Sequence, residues 1–412
     1  MDTRADLWIE GGKIRHCSPQ QAEIGRETEV INADNLTVMP GLFDMHVHLR
    51  EPGHEHKETI RTGTLAAANG GFTGVVCMPN TEPAIDSRMT VEYIQRRASN
   101  GAVDAHCCAA ITKARAGKEL APLLDLMESG AVMYSDDGGC VESAEMMRRA
   151  FDYVAEFDLL LTQHCEEHSL TRNFAVNEGE MSAKMGLKGY PAVAEDIIVA
   201  RDILLADYCG NRRYHGAHIS TAGAVRLFRE AKNRGQRVSC EVAPHHFILD
   251  ESTVQGFNVN AKMNPPLRTR RDIEAILQGL ADGSIDCIAT DHAPHALHEK
   301  NVEFSLAANG IIGLETSLGL SLTYLYHTGV ASLSRIVELM SVNPRRVLNL
   351  PQPLIASGEP ANLTFVDVNK EWVVSPELFC TKSLNTPFDG YILKGLPVMT
   401  INRGIVTECK LT

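Results

Sequence analysis

The chain has 412 residues, 44% of them hydrophobic and 22% charged, which excludes an intrinsically disordered protein and leaves apolar material for a large core. Lysine and arginine number 39 against 52 aspartates and glutamates, a net charge of −13. Nucleic acid or an anionic membrane would need a cationic patch, so neither is expected as the main partner. The 11 cysteines are scattered without a CxxC pair and read as reduced thiols of a cytoplasmic protein. The opening residues MDTRADLWIE hold no apolar stretch suited to a secretory signal, and no run approaches the ~18 apolar residues of a membrane span.

In chain order, ADLWIEGGKIRHC predicts a hairpin turning at Gly11-Gly12. From about Thr37 short apolar runs alternate with helical patterns. TVMPGLFDMHVHL precedes a helix near Glu58–Asn69, GVVCM one near Thr90–Ser99, and VDAHCCAA one near Glu119–Glu128. AVMYS precedes SAEMMRRAFDYVAEF, LLLTQH precedes AEDIIVARDILLADY, and HGAHI precedes AGAVRLFREAKNR. RVSCEVA precedes RRDIEAILQGL, and DCIAT precedes a last helical stretch reaching about Leu350. Eight strand-then-helix units imply an α/β protein with a closed parallel (β/α)8 TIM barrel. After Pro351, ANLTFVDV, EWVV and YILKGLPVMTINRGIVTEC read as strands separated by turns. The ends, residues 1–42 and 351–412, are each too short for a sheet with its own core. They are expected to pair into one small β-sandwich domain beside a catalytic barrel of residues 43–350.

Functional residues of such a barrel come from the C-terminal ends of its strands. His46 and His48 stand two apart at the end of the first, so both imidazoles face the mouth. His164 ends the fifth strand, His218 the sixth, and Asp291 the eighth. Each alone is weak: a strand-end histidine is more often a hydrogen-bonding group, and a lone aspartate a helix cap. Together they exceed the three protein ligands of one catalytic zinc, so a second ion and a bridging anion are implied. Asp136 and Asp137, after the fourth strand, are both candidates for that bridge, and both are also common turn residues.

These residues resemble the amidohydrolase superfamily of metal-dependent barrel hydrolases, and within it the dihydroorotases. The stretch PGLFDMHVHLREPG (residues 40–53) and the run Asp291-His292-Ala293-Pro294-His295 look like that family's signatures. CMPNT (77–81), HCEE (164–167), HIST (218–221) and KMNPPLR (262–268) follow in the expected order, so the resemblance spans nearly the whole chain. Many superfamily members bridge their metals with a carboxylated lysine on the fourth strand. No lysine lies between Lys118 and Lys184 here, which is similar to the branch that uses an aspartate. Aligned back from His164, the bridge is Asp137, with Asp136 the fallback.

The resemblance implies two Zn2+ ions, one held by His46, His48, Asp137 and Asp291 and the other by Asp137, His164 and His218, with hydroxide between them. Asp291 is then the general base. The reaction implied is the reversible hydrolysis of L-dihydroorotate to N-carbamoyl-L-aspartate in pyrimidine biosynthesis. Arg50 lies two residues after His48, on the same side, and its fork suits the substrate carboxylate, with Asn80 and His295 donating further hydrogen bonds. Asn264, Asn309 and Gly310 are implied contacts of the ring amides. His54 and His56 read as exposed loop residues, His245-His246 as structural or supporting, and Cys165 as a buried thiol. Glu166-Glu167 read as caps, and Gly70-Gly71 as a tight turn.

Two rivals remain. A hydantoinase or allantoinase shares the metal ligands but typically carries the bridging lysine and needs no carboxylate clamp. A non-catalytic dihydroorotase-like subunit would scaffold aspartate transcarbamoylase without metal; the presence of every ligand type argues against it. The chain is compatible with a homodimer and with association with that transcarbamoylase.

Overall fold

Eight short apolar runs become eight parallel strands hydrogen-bonded in sequence order: Leu42–Val47, Phe72–Cys77, Asp104–Ala109, Ala131–Tyr134, Leu161–Gln163, Tyr214–Gly216, Val238–Val242 and Cys287–Ile288. The computed structural model describes residues 4–18 and 28–412. The sheet closes where Val47 bridges His292 in parallel and the His48 amide donates to the His292 carbonyl at 2.9 Å. The strands are buried on both faces, which is why they read as unbroken apolar runs. Phe43, Met45, Val76, Met78, Cys108 and Met133 fill the barrel interior. Val47, Val75 and Cys107 face outward onto helix residues such as Ile60, Val91 and Ile94.

The predicted helices form with ends that the local sequence explains. Ile60–Asn69 starts after Thr59, Arg88–Ala98 after Ser87, Ala144–Tyr153 after Ser143, and Ala222–Asn233 after Thr221. Each of those side chains accepts the backbone N–H three residues on, which satisfies an otherwise orphaned donor. Leu123–Glu128, Val193–Tyr208 and Arg270–Asp282 complete the ring. Two stretches depart from expectation. The final helical region breaks into Ser317–Ser321, Leu333–Val337 and Asn343–Val347 with π-helical turns between them. The segment after the fifth strand builds a small layer of its own, in which Val176–Asn177 pairs with Gly189–Tyr190 around a helix at Glu180–Met185. The last helical stretch was expected without its breaks, and the layer after the fifth strand had too little periodicity to announce itself.

Both ends of the described chain meet in one antiparallel sheet, ordered Ile405–Glu408, Ile392–Asn402, Leu363–Val373 and Thr37–Pro40. ANLTFVDV and EWVV, read as two strands, form a single strand with an irregularity between Asp367 and Glu371. The hairpin Asp6–Glu10 and Lys13–Ser18 turns at Gly11 and Gly12, both at positive φ as a tight hairpin turn requires. Ile14 and Leu7 of the hairpin pack on Leu363, Phe365, Met399 and Ile401, so two sheets share one apolar layer. Among the described residues no helix is long and apolar enough to cross a membrane.

Candidate metal centre

The first strand carries its histidines inward through a change of parity. Phe43 and Met45 point into the barrel, Val47 and Leu49 point out, and the ladder to the second strand is irregular between Asp44 and Val47. Asp44 accepts the His46 amide at 3.1 Å within this kink. Strand irregularities of this kind re-aim side chains at active sites. Here the result is that His46 and His48 both reach the mouth.

Two buried triplets form there, His46–His48–Asp137 and Asp137–His164–His218, with the ligand atoms of each all within 4.8 Å of one another. Asp137 belongs to both. Its Oδ1 lies 3.4 Å from His46 Nε2, 3.6 Å from His218 Nε2 and 3.9 Å from His164 Nδ1, and its Oδ2 lies 3.6 Å from His48 Nε2. Asp291 Oδ1 stands 3.0 Å from His48 Nε2 and 3.6 Å from His46 Nε2. Asp136 points elsewhere, accepting from the Thr112 amide at 2.9 Å and from its hydroxyl. Burial pushes the Asp137 carboxyl up, but His46, His218 and His48 outweigh it and hold the group well below the usual range. Asp291 is held down in the same way against burial, by the hydrogen bond with His48 and by the charges of His46 and His218.

His46 Nε2 and Asp137 Oδ1 are buried without a hydrogen-bond partner. Orphaned polar atoms at the centre of a histidine and carboxylate cage are what a bound cation would satisfy. Three of the four outer ring nitrogens are fixed by partners, while His218 Nδ1 is buried without one. Glu241 lies 2.7 Å from His46 Nδ1, Asn80 Oδ1 2.8 Å from His48 Nδ1, and Glu166 Oε2 3.0 Å from His164 Nε2. Such partners set the tautomer and orientation of ligating imidazoles. Burial raises Glu241, but His215 and His46 outweigh it and hold the carboxyl at about 2. Sequence reasoning missed both glutamates. Glu166 was read as a cap, whereas it is Glu167 that caps the short helix His168–Thr171. Glu241 carried a usable signal, an acid at the C-terminal end of an otherwise apolar barrel strand.

The remaining candidates gather on the rim. Arg50 is buried, donates through Nε to the Pro294 carbonyl at 3.1 Å, and lies 3.4 Å from His295 Nε2. It makes no ion pair with a carboxylate among the described residues. Glu51 binds Tyr93 Oη, Arg97 Nε and the Ile60 amide, and Glu55 accepts from the Gly53 amide. His295 Nε2 donates to the Asn309 carbonyl at 2.8 Å. Asn264 donates to Glu166 at 2.8 Å, and its Oδ1, like that of Asn309, is buried and unpartnered. Gly310 is already engaged: its amide donates to the Lys262 carbonyl at 3.0 Å and its carbonyl accepts from Lys300 Nζ at 3.1 Å. A side chain there would put its Cβ 2.6 Å from that of Ala293, which explains the glycine. His246 donates to the Pro265 carbonyl at 3.0 Å, and burial holds neighbouring His245 down at about 4, hence neutral. Cys165 is buried against Tyr214 Oη at 3.2 Å. Arg50, His218 and Asp291 all adopt positive φ, as do several loop residues elsewhere in the chain, among them Asp158 and Phe257.

This cage sits on a chain with close relatives. The family described as "Dihydro-orotase-like" matches residues 36–224. The dihydroorotase of Syntrophus aciditrophicus is 47% identical over 98% of this chain and 95% of its own. That of Pelotomaculum thermopropionicum is 49% identical over 97% and 93%. Among solved structures, the L-hydantoinase (dihydropyrimidinase) of Arthrobacter aurescens superposes with a TM-score of 0.89 at 25% identity, covering 100% of this chain and 93% of that one. A cage with a shared aspartate, the order of its ligands along the barrel and identity close to one half over nearly the full length converge: the chain belongs to the dihydroorotase family.

Proposed function

We propose that the chain catalyses the reversible hydrolysis of L-dihydroorotate to N-carbamoyl-L-aspartate in pyrimidine biosynthesis, with two zinc ions as cofactors. Buried imidazoles and carboxylates suit zinc. The shared position of Asp137 supports a pair of ions, one held by His46, His48, Asp137 and Asp291 and the other by Asp137, His164 and His218. When bound, zinc supplies Lewis acidity to the ring carbonyl and lowers the pKa of water. The other steps belong to the chain. Asp291, held as a carboxylate, takes the proton of the attacking water as its oxygen bonds to the ring carbonyl carbon. It returns that proton to the ring nitrogen as the C–N bond breaks. Arg50, with Asn80 and with His295 turning its Nε2–H from the Asn309 carbonyl, binds the substrate carboxylate, while Asn264 and the Asn309–Gly310 backbone face the ring amides; Gly310 contributes shape, since its own amide and carbonyl are spent.

The observation that carries this reading is Arg50, a buried guanidinium beside the cage with no carboxylate partner among the described residues. A buried cation left unpaired is costly unless a ligand completes it. A hydantoin has no carboxylate to do so. Elemental analysis paired with turnover on the same sample tests the assignment. Close to two zinc ions per chain and a strong preference for dihydroorotate over hydantoin are expected. Turnover of hydantoin alone would overturn it. The reading extends to a cytoplasmic enzyme whose residues 1–42 and 351–412 form a small β-domain beside a barrel of residues 43–350. It is compatible with a homodimer or with docking to aspartate transcarbamoylase.

A further inference from the structure

Asn385 lies in the C-terminal segment between the short turn Pro376–Leu378 and the strand Ile392–Asn402, outside the barrel in sequence. It is 4% exposed, and every polar atom of its amide is used. Oδ1 accepts from the His295 amide at 3.2 Å, while Nδ2 donates to the Ala293 carbonyl and to the Gly310 carbonyl, both at 3.0 Å. Its own carbonyl accepts from the Ile312 amide at 3.0 Å. The segment that carries it is tied down. The Cys380 amide donates to Glu315 at 2.6 Å, Thr381 Oγ1 to Glu58, and Ser383 Oγ to the Lys57 carbonyl at 3.0 Å. A buried amide therefore joins two segments that carry substrate-facing groups. The turn Ala293–His295 holds His295 and, through the Pro294 carbonyl, Arg50. The other segment holds Asn309 and Gly310.

The chemistry explains why an amide is needed. The carbonyls of Ala293 and Gly310 converge on one point, and two carbonyl dipoles facing each other in a buried site repel unless donors lie between them. An NH2 group offers two donors at once, and the same side chain's oxygen takes the His295 amide. We propose that Asn385 is a positioning residue for the carboxylate clamp, setting the separation between the Arg50–His295 turn and the Asn309–Gly310 segment. The inference rests on the reading of Arg50 and His295 as that clamp.

The test uses the zinc-loaded, full-length enzyme with Asn385→Ala, Asn385→Asp, His295→Ala, Arg50→Gln and the double variant Asn385→Ala/His295→Ala. Asn385→Asp keeps the shape and serves where the alanine variant does not fold. Substrates are dihydroorotate and dihydrouracil, the same ring without the carboxylate. Loss of both donated bonds is expected to raise KM for dihydroorotate about tenfold, with kcat within a factor of a few, metal content unchanged and the preference over dihydrouracil reduced to match. In the His295→Ala background the second change should add less than about twofold, because coupled residues are not additive. Unchanged KM at Asn385 while Arg50→Gln and His295→Ala both raise it would overturn this proposal and leave the clamp standing. So would full additivity, or equal losses on both substrates, since either marks a merely structural role. Unchanged KM in Arg50→Gln and His295→Ala would overturn the clamp and, with it, the role of Asn385.

Discussion

The candidate metal cage and the proposed carboxylate clamp lie side by side but are built on different principles. The cage stands on strand ends: His46, His48, His164 and His218 occupy or directly follow strands held by the barrel ladder, and Glu241 and Asn80 fix two of their outer nitrogens. The clamp stands on irregular backbone. Arg50 and His295 are placed by side-chain bonds to carbonyls, and the Asn309–Gly310 segment behind them is held by Lys262 Nζ on Ser305 and Ala307 and by Lys300 Nζ on Ala308 and Gly310. A regular ladder defines positions that chemistry can use directly. Loops must have every carbonyl held individually. Damage to the cage should therefore abolish turnover, whereas damage to the clamp should weaken binding.

The largest effect that could break this contrast is at Asp137. Asp137→Ala removes the atom common to both triplets and should empty the cage, lowering turnover by at least about 10^3-fold, since metal assistance is worth several kcal/mol. Metal analysis of the variant checks it; full metal content with normal turnover would dissolve the shared-ligand reading. Next is Asp291→Asn, for which kcat should fall about 10^2- to 10^4-fold with KM nearly unchanged. A steady-state comparison at fixed metal content decides it, and a change confined to KM would move Asp291 from the cage to the clamp.

Arg50→Gln should behave oppositely, raising KM for dihydroorotate about 10- to 100-fold through the lost charge-assisted hydrogen bonds, with kcat largely kept. A collapse of kcat would show that the two regions are not separable. Glu241→Gln tests support rather than contact: metal affinity should fall about 10- to 100-fold, read by competition with a chelator. The smallest effect concerns acid stability. Glu241 and Glu166 are each held at about 2, burial raising them and their histidine partners outweighing it. Unfolded glutamates titrate near ~4.3. Groups with a depressed folded pKa contribute stability above the unfolded value and lose it as pH falls towards the folded one. The metal-free protein should therefore lose stability between about pH 4.5 and 2, and Glu241→Gln should flatten that slope in denaturant melts.

Much of the cage was legible because its signals are local. Spacing of two at His46 and His48, a histidine closing LLLTQH, another one residue before the end of HGAHI, and an aspartate after CIAT all refer to strand ends that the chain's own periodicity marks. Glu241 was not singled out and Glu166 was read as a cap, although each sits at or just after a strand end, because a buried acid and a capping acid look alike without coordinates. The clamp was legible only through Arg50, Asn80 and His295 within the family's motifs. The engagement of Gly310 with Lys262 and Lys300, and of Asn385 with three site atoms, left no trace in any local pattern.

By itself the sequence determined the alternation of apolar strands with amphipathic helices, and hence the barrel, and the histidines and aspartates that gather at the C-terminal ends of its strands. Hydrophobic periodicity and capping are properties of neighbours in the chain. Only the tertiary structure decided the kink that turns His46 and His48 inward together, the choice of Asp137 over Asp136 for the shared position, and the partners of each imidazole. Those depend on contacts such as His46 with Glu241, 195 residues apart, and His295 with Asn385, 90 apart. Separations of that size are set by how the barrel closes and how the C-terminal segment packs against it, and no local preference encodes them.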